Sequence, residues 1–227
     1  MRKIRLVYVV STLGRTGPTR QLYNLIKHLD YAHFEAQVIT LSSNPPDNLE
    51  RDFADLGIAV RSLSLSRLTG VAFGRSRLVR ILNQLQPDVL HSQGLRADWL
   101  CSRLADSYKK VATQRNNPLQ DYPLLMGQLK GAVAARLHYH ALARLPVVVA
   151  CSQGIADTNT LRGLSTSVIH NGVDLNLTKA PMNHEGRTAP RHALGLPEAG
   201  RLFLYAGPLI PRKNPELLIR AMMNKAR

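Results

Sequence analysis

The strongest constraint on this 227-residue chain is an alternation of short apolar, β-branched runs with helical stripes. Leu6-Val-Tyr-Val-Val10 is near-continuous and apolar, as in a strand covered on both faces. Gly14, Gly17 and Pro18 follow. Leu22, Leu25, Ile26 and Leu29 then recur at helical spacing, which predicts a helix from about Pro18 to Leu29. Phe34–Leu41, Ile58–Leu63, Asp88–His91, Lys110–Thr113, Val147–Ala150 and Thr166–Ile169 read as further strands. Helices are expected at Asn48–Leu56, along the Leu78, Ile81, Leu82, Leu85 stripe that Gln86-Pro87 stops, and at Leu95–Asp106. Two more are expected from Leu124 to about Leu145 and from Ser152 toward Leu161. Gln114–Pro123 reads as a polar, turn-rich loop. Parallel strands need crossovers of this length, so the pattern predicts an open, mostly parallel α/β sheet over about residues 1–175.

Residues 176–200 carry Pro181, Gly186, Pro190, Gly195, Pro197 and Gly200 and read as a linker, with a helical turn near His192. Leu202–Ala206 is expected to start a new strand. Gly207–Asn214 would be a loop, and Pro215 to about Met223 a helix capped by Asn214. One strand and one helix cannot close a core. The expectation is therefore a second domain that begins at about residue 201 and is truncated at its C-terminus.

A composition of 44% hydrophobic and 20% charged residues excludes a disordered or fibrous chain. The two cysteines, Cys101 and Cys151, form no CxxC pair, which excludes a thiolate zinc cluster and argues against a disulfide-built secreted domain. Met1–Val10 has a basic start and an apolar run but no cleavage site, so it reads as a first strand rather than a leader. No uncharged apolar stretch reaches the ~18 residues of a spanning helix. A cytoplasmic protein is expected, with the inner membrane face as a candidate contact.

The formal net charge is +15, from 30 Lys and Arg against 15 Asp and Glu. No acid occurs between Asp55 and Asp88, or between Asp121 and Asp157. Such stretches either face phosphates, of a lipid-linked acceptor, a bilayer or a nucleic acid, or are simply solvated. Few aromatics, no zinc-finger spacing and no basic-helix dimerisation pattern argue against a nucleic-acid partner.

Candidate chemistry gathers at the expected strand ends. Gly14-Arg-Thr-Gly17 allows either a structural turn or the close approach of an anion to a helix N-terminus, although neither GxGxxG nor GxxxxGK[ST] is present. His91 could orient a ligand or cap a strand end, and Gln93 suits a sugar hydroxyl. Arg115 and Asn116 suit hydroxyls and phosphates. Cys151 lacks an activating partner and reads as a small hydrophobe. Arg212 and Lys213 stand just before a helix N-terminus, a pairing that favours a diphosphate but also fits an exposed basic loop. No hydrolytic triad or HExxH metal motif is present, so no metal is expected.

Taken in order, these pieces resemble the GT-B glycosyltransferases of family 4. They are Leu6–Val10 with the Gly14/Gly17 loop, Asp88-Val-Leu-His91, and Thr113-Gln-Arg-Asn-Asn-Pro118. Asp121-Tyr-Pro123, Gly127-Gln-Leu-Lys-Gly131 with His138, Val148–Ser152, and Val168-Ile-His-Asn-Gly-Val-Asp174 continue the match. Leu204-Tyr-Ala-Gly207 followed by Arg212–Leu218 completes it. The resemblance implies two Rossmann-like domains around a cleft, an acceptor side first and a nucleotide-sugar side second. It implies a retaining transferase of the bacterial polysaccharide or lipopolysaccharide type, acting on a glycan or lipid-linked acceptor. The nucleotide-sugar is the substrate, with no further cofactor and no required metal. His91 and Lys213 are then the catalytic candidates, with Gly14, Gly17, Arg212 and Lys213 at the donor diphosphate. Gln93, Arg115, Asn116 and the inter-domain Ser152 would face the acceptor or cleft.

Three departures from the family pattern stand out. Pro208 replaces an arginine after Gly207, and Gln93 stands where a second histidine is common. The glutamate pair that holds the donor sugar would lie beyond Arg227, so the isolated chain is expected to lack transfer. The alternatives are an inactive remnant, a basic binding module, or a GT-B nucleotide-sugar epimerase.

Overall fold

The computed structural model describes residues 2–175, 188–207, 209–210 and 213–225. The chain divides into two compact units, Met1–Val173 and Asp174–Arg227. The first is built on seven strands: β1 (Ile4–Val10), β2 (Phe34–Thr40), β3 (Val60–Ser62), β4 (Val89–Gln93), β5 (Lys109–Gln114), β6 (Val147–Ala150) and β7 (Ser167–Val168). All pairs are parallel, in the order β3-β2-β1-β4-β5-β6-β7. This is the Rossmann-like α/β class expected from the sequence. The chain order reverses between β1 and β4, and such a switch point opens a crevice at the strands' carboxyl ends. There Val10 stands opposite both Thr40 and Gln93.

Seven helices of this unit connect the strands: α1 (Gly17–Lys27), α2 (Glu50–Asp55), α3 (Arg67–Leu85), α4 (Leu95–Cys101), α5 (Pro118–Met126), α6 (Gln128–Leu142) and α7 (Gln153–Thr160). The two-residue period of β1 divides its side chains between two cores. Tyr8 and Val10 pack with Val38, with Leu22 and Ile26 of α1, and with Phe53 of α2. Val7 and Val9 pack with Ile39, Leu90, Leu78 and Leu82 of α3, Leu100 of α4 and Leu142 of α6. Each fully buried leucine contributes about 1.5–3 kcal/mol, so both layers are needed to hold the sheet.

The expected helix over 124–145 is corrected by the structure, as is the loop over 114–123. A helix already starts at Pro118, because Asn117 accepts the Leu119 N–H on its side-chain oxygen at 3.1 Å. It ends at Gly127, whose φ of +82° only glycine adopts readily, and α6 begins at the next residue. The two helices then pack at the Gly131 backbone. A Cβ there would lie 2.3 Å from the Pro123 nitrogen. The helix expected to reach Asp106 stops at Cys101, while β4 runs on to Gln93.

In the second unit, α8 (Thr188–Ala193) and α9 (Pro215–Lys225) form. The strand expected at Leu202–Ala206 does not. That segment is irregular, and Leu204 is 89% exposed. A strand needs a neighbour to satisfy its backbone groups, and the described residues of this unit supply none. Among the described residues, no helix is long and apolar enough to cross a membrane.

Candidate functional site

A cavity of about 230 Å³ opens at the carboxyl ends of β1, β4 and β5. Val10, Leu13 and Leu22 give it an apolar wall, and Thr12, Thr16 and Thr19 continue it along the start of α1. The opposite wall is polar: Gln93, Thr113, Gln114, Arg115, Asn116 and His138. Thr16 precedes α1 but makes no side-chain cap, so the first N–H groups of that helix keep their capacity for an anion.

Gln93 and Arg115 form the centre of the polar wall. Arg115 donates from Nε to Gln93 Oε1 at 3.1 Å and from Nη1 to Asn171 Oδ1. The Gln93 side chain is buried, yet its Nε2 has no hydrogen-bond partner. A buried unpaired donor costs about 1–3 kcal/mol. A ligand oxygen placed beside it would recover that cost. Among the described residues, no Asp or Glu lines the cavity, and Arg115 is the permanently charged group there.

His91 sits one step behind the wall. Its Nε2 lies 2.7 Å from Thr113 Oγ1, and its ring is tilted against Tyr8 at 5.0 Å. Burial, then the Arg115 charge, pushes its pKa down to about 4. The imidazole is therefore neutral at physiological pH, and it is a weak base.

A buried polar chain backs the same wall. Ser92 donates to Asp98 Oδ1 at 2.6 Å, and His138 Nε2 donates to Asp98 Oδ2 at 2.8 Å, because the carboxylate can only accept. His138 Nδ1 lies 2.8 Å from Tyr122 Oη. Burial raises the Tyr122 phenol to about 12, against an opposing effect of the Asn116 side chain, which keeps it protonated. The chain thus joins cavity-lining His138 to a fully buried carboxylate on α4.

The structure brings Gln93, Arg115 and Asn116 together at the cavity, with His91 reaching it through Thr113. Gly14 and Gly17 flank the lining residue Thr16. A Cβ on Gly14 would meet the Pro45 ring at 3.1 Å, so packing alone restricts that position. Ser152 caps α7 through the Ile155 N–H and does not line the cavity. Lys213 lies in the second unit, two residues before α9 begins, and Arg212 lies outside the described residues. Tyr122 and His138 stood in motifs that carried the resemblance, but their link through Asp98 to Ser92 was missed in the sequence. Its one signal was an acid, Asp98, between the apolar Ala97 and Leu100 of a helix's buried face. Among the described residues, no cluster of three or more His, Cys, Asp or Glu comes together that could hold a metal ion.

The sequence profile of a family described as Glycosyltransferase Family 4 matches residues 15–177. No curated protein matches the sequence. Among solved structures, sucrose-phosphate synthase from Thermosynechococcus elongatus superposes with a TM-score of 0.74 at 17% identity, over 98% of this chain and 60% of that one. The Anabaena protein HepE, in complex with UDP-glucose, gives 0.61 at 17% identity over 85% of this chain and 50% of its own. The UDP-N-acetylglucosamine 2-epimerase of Rickettsia bellii gives 0.52 at 13% identity, over 75% and 45%. At such identities the likeness is one of fold. The chain spans 60% of the length of the first of these structures and 50% of the second.

Proposed function

This chain belongs to glycosyltransferase family 4, and from that premise we propose that its first unit is the acceptor-side domain of a retaining sugar transferase. The donor is a nucleotide-sugar, bound as substrate with no resident cofactor. The acceptor is a glycan or lipid-linked sugar of cell-envelope polysaccharide synthesis, met at the cytoplasmic membrane face. No nucleic-acid partner is proposed. The observation that carries the reading is the unpaired Gln93 Nε2 beside Arg115 in a cavity without carboxylates. HepE, a structural neighbour, holds UDP-glucose, which supports a nucleotide-sugar as donor.

In this mechanism Gln93 Nε2 donates to an acceptor hydroxyl oxygen, and cavity-lining Asn116 takes a second hydroxyl. Arg115 adds positive charge where the diphosphate meets the acceptor. The start of α1 at Thr16–Gly17 faces the same phosphates. Lys213, with Arg212, neutralises charge on the departing diphosphate, so its loss slows transfer more than it weakens binding. His91 orients Thr113 rather than taking a proton, since a base of pKa about 4 is a poor acceptor from an alcohol. Among the described residues no carboxylate lines the cavity, and in this reading the leaving phosphate oxygen takes the acceptor's proton. Attack then comes from the face of departure, and configuration is retained.

The test is product analysis with the protein isolated from its native cells. Nucleotide-sugars labelled in the sugar are supplied with and without a lipid extract or oligosaccharide acceptors. The reading predicts label in an acceptor-dependent product with the donor's anomeric configuration. An epimerised nucleotide-sugar formed without acceptor would overturn it in favour of the epimerase alternative.

A further inference from the structure

The fold uses only one of the two apolar faces of α6. Gly131, Ala135, His138, Tyr139 and Leu142 are buried. On the other side Leu129, Val133 and Leu137 recur every fourth residue and face solvent, Leu129 with 80% of its surface exposed. Leu124, Leu125 and Met126, at the end of α5 just before the one-residue turn at Gly127, are also exposed. An ordinary surface helix turns a polar face to water. Exposed apolar side chains gathered on one element instead mark a docking surface.

Charge identifies what docks there. No acidic residue occurs from Tyr122 through Ala156, and Lys130, Arg136 and Arg144 are exposed on and just after α6. Apolar side chains flanked by bases match an anionic bilayer, whose phosphates meet the bases while the acyl boundary takes the leucines. A second copy of the chain fits poorly. A two-fold contact would set Lys130 and Arg136 against their own equivalents, in a protein of net charge +15.

We propose that the α5–α6 hairpin lies in the surface of an anionic membrane, with Leu124, Leu125, Leu129, Val133 and Leu137 inserted. The hairpin is stiff enough for this, because Gly131 seats α6 directly on the α5 backbone and the Tyr122–His138 pair ties the two helices. It also leads to the cavity. α5 begins right after Arg115 and Asn116 and, at nine residues, is about 14 Å long. A lipid-anchored sugar therefore needs to travel only about one short helix to reach Gln93. That last step rests on the acceptor-side reading, whereas membrane binding does not.

The experiment is co-sedimentation of the full chain with vesicles of phosphatidylglycerol and phosphatidylcholine, or of phosphatidylcholine alone, with no sugar donor present. Binding is expected to the anionic vesicles and to weaken with salt. Because their targets are exposed, three triple variants should fold normally. L129S/V133S/L137S should bind at least tenfold more weakly. K130Q/R136Q/R144Q should lose on the order of a hundredfold, from about 1 kcal/mol per base. R61Q/R75Q/R80Q removes the same charge elsewhere and should retain most binding. Wild-type binding by the serine variant, or an equal loss in the remote-charge variant, would overturn the proposal in favour of diffuse attraction. A dimer abolished by the serine substitutions, without vesicle binding, would overturn it in favour of a second copy.

Discussion

His91 shows how the environment of a strand end sets chemistry. Burial and the Arg115 charge hold its pKa at about 4, below the ordinary 6.5. Between those values the unfolded chain binds more protons than the folded one, so stability falls as pH drops from about 6.5 toward 4. It is fully present above that window. The His91→Asn variant should lose less stability than the wild type between pH 7 and pH 5, measured as urea midpoints. An equal loss would mean that another group controls the acid limb. The buried Asp98–His138 pair makes a second residue-scale prediction. Asp98→Ala leaves His138 and Ser92 without their partner and should cost about 3–5 kcal/mol in urea unfolding. Gln93, Arg115 and Asn116 were legible in the sequence because polar residues ending apolar strands point to a sheet edge. The link from Tyr122 through His138 and Asp98 to Ser92 was not, since a chain joining α5, α6, α4 and β4 has no short-range spacing.

At the scale of elements, the hairpin of α5 and α6 depends on a single missing side chain. A Cβ on Gly131 would stand 2.3–2.5 Å from the Pro123 N, the Pro123 Cα and the Tyr122 carbonyl carbon. None of these can swing away, because all are backbone. Gly131→Ala should force the helices apart, costing about 1–3 kcal/mol in urea unfolding. It should also loosen the Tyr122–His138 contact behind the cavity wall, seen as a weaker sugar affinity. A variant of unchanged midpoint would contradict this packing. The β-strands of the sheet were readable to within a few residues because apolar runs bounded by Gly, Pro and polar residues are local signals. The hairpin was not, because apolar residues continue at helical spacing across Gly127 and only the glycine and the Asn117-Pro118 cap mark the breaks.

At the scale of the whole molecule, both hydrophobic cores lie between Val7 and Ala156, within the first unit. A chain ending at Val173 should therefore unfold cooperatively, with a urea midpoint close to that of the full chain. A broad, uncooperative transition would show that the second unit is needed for the first to fold. The parallel sheet was legible because crossover lengths leave few topologies open. The irregular Leu202–Ala206 was not, since an apolar pattern records what a segment can do with a partner strand and not whether one is there. The central claim, that the crevice at the β1/β4 switch point is an acceptor-sugar site, is tested most directly by site-resolved NMR. Soluble mono- and oligosaccharides are titrated while the side-chain amides of Gln93 and Asn116 and the Arg115 Nε–H are observed. Saturable shifts are expected at these three groups, weakened about tenfold in Gln93→Leu, which lacks the buried donor. Sugar-dependent shifts that map elsewhere, or that persist unchanged in Gln93→Leu, would contradict that claim.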